Sequence, residues 1–143
     1  MTTNAARAEA LERLIRAAMD GDGAALTGLV TDDVRVWTPG ADAEGRDRFI
    51  ELAARRDAAF TDVDIRVVPL DVGGDFACVE WVVDATHSGA LAMEGRDDAP
   101  PTGARLRVHG ITVAEFDGDR ICSIREYWNE LPLLLELGGL DPA

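Results

Sequence analysis

Two periods of apolar spacing divide the chain. Between residues 4 and 20, Leu11, Leu14, Ile15 and Ala18 recur at i, i+3, i+4 and i+7, the one-sided spacing of an amphipathic helix. Thr3 or Asn4 can cap its start, and Gly21 or Gly23 can end it. Asp22 can then cap a second short helix through Leu26 and Leu29. Helical spacing returns from Gly45 to Phe60, with Phe49, Leu52, Ala53 and Phe60 on one side. From Thr61 the period changes to two. Val63, Ile65 and Val67 alternate with Asp64 and Arg66, as expected of a half-buried strand.

Turn residues punctuate the rest. Asp33 to Thr38 reads as a short strand broken by Pro39-Gly40, and Gly73-Gly74 turns one strand into another, from Phe76 to about His87. Residues 88–103 form a polar, Gly- and Pro-rich loop, long enough to be a lid or pocket mouth. Arg105–Phe116 and Arg120–Asn129 read as two long strands joined by Asp117-Gly118, a type I′ hairpin signal. Helices before strands, with hairpins between the strands, predict an α+β fold. Three helices would lie on the concave face of a curved antiparallel sheet and enclose a pocket. No repeat, linker or low-complexity tract interrupts residues 1–143, which read as a single domain.

Composition narrows the function classes. A formal charge of −13 repels phosphate backbones and anionic lipid, so neither nucleic acid nor membrane is an expected partner. The same charge serves solubility. All 14 basic residues are arginines, which excludes a lysine Schiff base. Cys78 and Cys122 lie far apart in apolar segments and read as structural thiols. The N-terminal stretch has no apolar core of signal-peptide length, and the expected location is cytoplasmic. No metal site is expected from two histidines without ligand spacing, and Asp20-Gly21-Asp22-Gly23 lacks the remaining ligands of a calcium loop. Neither a phosphate-cradling glycine motif nor a serine elbow is present, and no cofactor is implied.

A two-residue loop at Asp117-Gly118 pairs Phe116 with Asp119. It then places His109 opposite Glu126, Ile111 opposite Ile124, Arg107 opposite Trp128 and Val113 opposite Cys122. That face would carry one imidazole and one carboxylate among apolar neighbours, the raw material of general acid–base catalysis. A cross-strand salt bridge on a solvated face accounts for the same pair. Trp37, Phe49, Phe60, Trp81 and Trp128 could line a cavity for a flat ligand, though such spacing also suits plain core.

The last third of the chain carries four motifs in order. They are Thr86-His87-Ser88-Gly89, Pro100-Pro101-Thr102-Gly103, Asp117-Gly118-Asp119-Arg120-Ile121, and the apolar run from Leu133 to Gly138. Together they resemble the SnoaL-like polyketide cyclase family of the NTF2-like superfamily. The resemblance implies a cone-shaped α+β fold and pairing into a homodimer through the open sheet face. His87 matches the family's histidine, either orienting substrate at the pocket mouth or bonded to loop backbone. The family's acid–base aspartate falls on Asn129, whose amide takes no proton at neutral pH but can donate a hydrogen bond. In related epoxide hydrolases the last strand carries R-D-Y, matched here by Arg125-Glu126-Tyr127, which implies a catalytic carboxylate at Glu126. Their R-x-D pair matches Val82-Val83-Asp84, with the aspartate present and the arginine missing.

The expected function is a cofactor-independent cyclase- or isomerase-type enzyme acting on a hydrophobic carbonyl compound. Glu126 would be the base, tuned by His109. Asn129 or Tyr127 would steady the enolate oxygen, and Asp84 or His87 would handle a second proton. A ligand-binding or dimerising module without chemistry is the alternative, and an epoxide hydrolase ranks third.

Overall fold

The computed structural model describes residues 3–91, 97–129, 131 and 135. The helices are α1 (Asn4–Met19), α2 (Gly23–Leu29) and α3 (Arg46–Ala59). The strands are β1 (Val30–Thr38), β2 (Ala41–Glu44), β3 (Phe60–Leu70), β4 (Phe76–His87), β5 (Arg105–Asp117) and β6 (Arg120–Trp128). They form one sheet in the order β2-β1-β6-β5-β4-β3. The architecture is α+β, with the helices on one face of a curved, unclosed sheet.

Local chemistry explains the helix boundaries. The Thr3 hydroxyl accepts a hydrogen bond from the Ala6 amide at 3.1 Å and caps α1. Leu11, Leu14, Ile15 and Ala18 face inward and are buried, packing α1 on β4 and β3. Asp22 Oδ1 accepts from the Ala25 amide at 3.1 Å and starts α2. On α3 the buried residues are Phe49, Ala53 and Ala59.

The sheet departs from the expected one in three ways. It is mixed, because β1 runs parallel to β6; this contact joins residues far apart in sequence, which local spacing does not encode. The first strand begins at Val30 rather than Asp33, and Pro39-Gly40 does not end the ladder but turns it into the short edge strand β2. The hairpin register differs as well. Asp117 pairs with Arg120, so the loop is Gly118-Asp119, with Gly118 at φ 61°. A bulge then follows, with Phe116 opposite Ile121 and Glu115 opposite Ser123, leaving Cys122 unpaired. The Cys122 thiol donates to the Glu115 carbonyl at 3.4 Å. Cys78 and Cys122 are both free and half-buried, and burial pushes each thiol up from its ordinary value.

Beyond the bulge Glu126 stands opposite Thr112, three residues from the position the simple turn would give. An odd slip exchanges the two faces of a strand. Glu126 therefore joins the helix-covered face, with Ile124 and Trp128. His109 is exposed on the outer face, and the expected His109–Glu126 pair does not form.

Trp81 and Gly110 are direct cross-strand partners. A Cβ at Gly110 would lie 2.2 Å from the Trp81 ring, so the indole lies over a position that only glycine leaves open. From there Trp81 Nε1 donates to Thr112 Oγ1 at 2.9 Å. Gly110→Ala should lower stability by about 1–3 kcal/mol through overpacking. Urea denaturation checks this, and an unchanged midpoint would mean that the indole is free to move aside.

Candidate functional site

The curved sheet and the helices α1 and α3 leave a cavity of about 610 Å³ between them, a size suited to a small organic ligand. Its walls are mostly apolar: Ile15, Ala18 and Met19 from α1, Phe49 and Leu52 from α3, and Trp81, Val83, Leu106, Val108 and Trp128 from the sheet. The polar lining side chains are Thr38, Asp42, Arg55, Arg56 and Glu126.

Most of these are engaged or peripheral. Thr38 Oγ1 accepts from the Gly40 and Ala41 amides and donates to the Ala41 carbonyl, which orders the β1–β2 turn. Arg55 Nη2 donates to Glu51 at 2.8 Å, and Asp42 is exposed on the edge strand. Glu126 is different. It is 7% exposed, and among the described residues no group donates a hydrogen bond to its carboxyl. Its charged neighbour is Arg56, with Nη1 at 3.8 Å from Oε2. Burial pushes the Glu126 carboxyl above the ordinary carboxylate range, and the Arg56 guanidinium pulls against that shift without reversing it. Arg56 also lies over the Trp128 ring, 5.7 Å from its centroid, and Trp128 faces Trp81 at 6.2 Å.

The other residues picked out from sequence are distributed differently. Phe49, Phe60 and Trp128 line the cavity with Glu126. Trp37 borders it but is 42% exposed and tilts against Tyr127 at 5.1 Å. Tyr127, Asp84 and His109 belong to the outer face, because alternation along each strand turns them away from the helices. Asp84 is held there by Arg107, its cross-strand partner, through bonds of 2.8 and 3.1 Å. That contact holds its carboxyl below the ordinary range. Asn129 is exposed and its Oδ1 accepts from the Leu131 amide at 3.3 Å.

His87 is fully buried but is absent from the cavity wall. Its Nδ1 accepts from the Thr102 amide at 3.3 Å and lies 3.2 Å from the Thr102 hydroxyl. Its backbone bonds to Gly103 and Ala104, and its ring packs on Phe60 at 5.7 Å. Ser88 and Gly89 donate to the Ala59 carbonyl at the end of α3. A Cβ at Gly89 would meet the Ala58 carbonyl oxygen at 2.2 Å. The two motifs Thr86–Gly89 and Pro100–Gly103 thus clasp the ends of the 88–103 loop to β4 and α3. Leu91 and Ala99 bridge within that loop, whereas residues 92–96 and the run from Leu133 to Gly138, apart from Leu135, lie outside the described residues.

Sequence reading missed Arg56. The signal was present: Arg56 follows Phe49, Leu52 and Ala53 at i+7, i+4 and i+3, so it is a charge on the apolar side of its helix.

The family model of the SnoaL-like domain matches residues 11–124. The chain belongs to the SnoaL-like domain family. Three solved structures resemble this SnoaL-like chain over nearly its whole length. One is from Jannaschia sp. CCS1 and is provisionally named a SnoaL-like polyketide cyclase, with TM-score 0.81, 18% identity, and coverage of 96% of this chain and 94% of that one. TsrD from Streptomyces laurentii gives TM-score 0.81 and 21% identity over 98% and 100%. A protein of ketosteroid isomerase-like fold from Catenulispora acidiphila DSM 44928, in complex with trimethylamine, gives 0.72 and 22% over 94% and 98%. At these identities the likeness is one of fold. No curated protein matches the sequence. Among the described residues no helix is long and apolar enough to cross a membrane.

The raised Glu126 carboxyl has a consequence for stability. A carboxyl whose folded pKa exceeds its unfolded value stabilises the fold below the unfolded value, and loses that contribution as pH rises through the folded value. Between those two values the wild type should lose up to about 1.4 kcal/mol per pH unit relative to Glu126→Gln. Urea denaturation of both proteins from acidic to mildly alkaline pH reads this. Parallel curves would show that the carboxyl is not strained by burial.

Proposed function

We propose that this SnoaL-like chain is a cofactor-independent enzyme of cyclase or isomerase type, acting on a hydrophobic carbonyl compound through proton transfer at Glu126. The observation that carries the reading is one carboxyl, buried in an apolar cavity and, among the described residues, without a hydrogen-bond donor. A raised pKa strengthens the carboxylate as a base, and its open oxygens leave room for a substrate hydrogen. In this reading ionised Glu126 removes a proton next to the substrate carbonyl, the electron pair moves onto the carbonyl oxygen as an enolate, and Glu126 returns the proton to a different carbon or oxygen. Where the proton returns to another carbon the product is an isomer. Where the enolate carbon first adds to a second carbonyl of the substrate, a C–C bond closes the ring as that C=O π bond opens, and Glu126 gives its proton to the new alkoxide. The partners first expected for Glu126 are placed elsewhere, since His109, Asp84 and Tyr127 are on the outer face and Asn129 is exposed. Epoxide opening is less well supported, because Asp84, the counterpart of its second carboxylate, is bound to Arg107 outside the cavity.

The test is exchange of substrate hydrogen for deuterium. A panel of bicyclic and tricyclic ketones is incubated in D₂O with wild type and with Glu126→Gln, and label is read by mass spectrometry. The wild type should label at least one member at the carbon next to the carbonyl, and the variant should be slower by about 10²–10⁴-fold. Ketones that bind without labelling would favour a binding module instead.

The homodimer belongs to the same proposal. Trp37, Ile111 and Tyr127 are 42%, 36% and 49% exposed on the outer face, and Ile111 and Tyr127 are direct ladder partners. Light scattering should give the mass of two chains, and Tyr127→Arg should shift it toward one. A monomeric wild type would remove this part of the reading.

A further inference from the structure

Arg56 has a donor set that the described residues do not use. A guanidinium offers five N–H groups in a planar fork. Among the described residues none of them donates a hydrogen bond; the contacts of Arg56 are the 3.8 Å approach to Glu126 and the face of Trp128. Its neighbours on α3 are engaged, with Arg55 and Arg48 both on Glu51 at 2.8 and 3.0 Å. The Arg56 side chain is only 31% exposed and forms part of the cavity wall. A cation so placed, with Thr38 and Arg55 already bonded, is the strongest site in the cavity for an acceptor on a ligand.

We propose that Arg56 is an anchoring residue for an acidic oxygen, so that the ligands of this cavity are flat apolar molecules bearing a carboxylate or an enolate-forming 1,3-dicarbonyl. This deepens the acid–base reading and rests on the same cavity. The oxygen would lie between the guanidinium and Glu126, with the ring system on Trp128, Trp81 and the aliphatic wall. A negative oxygen at that point also acts on Glu126. It takes over part of the attraction from Arg56 and adds a like charge, so binding the anion should draw a proton onto Glu126. Among the described residues the other charged groups lining the cavity are Asp42 on β2 and Arg55 on α3, the latter paired with Glu51. The lining from α1, β1, β3, β4 and β5 brings no charged side chain.

Calorimetry with two probes of the same shape tests this: 2-naphthoate, an anion, and 2-naphthamide, its neutral counterpart. Wild type should bind naphthoate about tenfold or more tightly than naphthamide, as expected of a charge-assisted contact. Arg56→Gln should erase the preference by weakening naphthoate far more than naphthamide, and the naphthamide binding that remains reports that the cavity is intact. Titrations in buffers of different ionisation heat should show proton uptake with naphthoate on the alkaline side of the Glu126 titration. Glu126→Gln should abolish that uptake and keep the preference. Equal affinities in wild type, no binding of naphthoate, or a preference that survives Arg56→Gln would each overturn the proposal. The wild-type comparison and Glu126→Gln decide the matter even if Arg56→Gln does not fold. Loss of anion preference leaves the deuterium-exchange result for Glu126 standing, and the reverse also holds.

Discussion

Paired strands can hold only one set of side chains toward the core, and a shift of one residue exchanges that set for the other. In this chain the exchange is made at Cys122, where β6 carries one residue more than β5 and the ladder resumes with Glu115 opposite Ser123. The contribution of β6 to the cavity depends on that extra residue. It turns Ile124, Glu126 and Trp128 toward the helices and leaves Tyr127 outside. Without it the interior would receive Ser123, Arg125 and Tyr127, and the carboxyl would face water.

A carboxyl turned inward creates an electrostatic problem that the helix layer partly answers. Burial favours the neutral acid, and the Arg56 guanidinium favours the ion. Burial prevails, because the guanidinium stands at 3.8 Å, an ion-pair distance without a hydrogen bond. The aromatic face of Trp128 lies against the cation near the acid, and among the described residues the guanidinium N–H groups donate no hydrogen bond.

Much of the fold could be read from the residues alone. The three helices, their caps at Thr3 and Asp22, and the alternating strands β3 to β6 follow from spacing and turn chemistry, which are local. The parallel contact of β1 with β6 and the edge strand β2 depend on distant partners and left no local trace. For the site, Glu126, Phe49, Phe60 and Trp128 are legible in the sequence and lie on the cavity. Of the two grounds for Glu126, the match of Arg125-Glu126-Tyr127 to a family motif and a cross-strand pairing with His109, the pairing does not occur. An Asp-Gly step reads as a turn of its own, whereas here the glycine is the first turn residue and the aspartate belongs to the strand. A turn misplaced by one and a bulge beyond it are enough to move His109 from the interior to the surface.

The histidine and threonine of the two loop motifs are bound to one another and to backbone, and Gly89 fits against the last turn of α3 with no room for a side chain. Such a buckle is indifferent to cargo. Any change of cavity wall that keeps β4, α3 and the loop ends in place leaves it fastened. The stretch by which the chain is most readily recognised is therefore the part of it that speaks least about what reaction takes place inside.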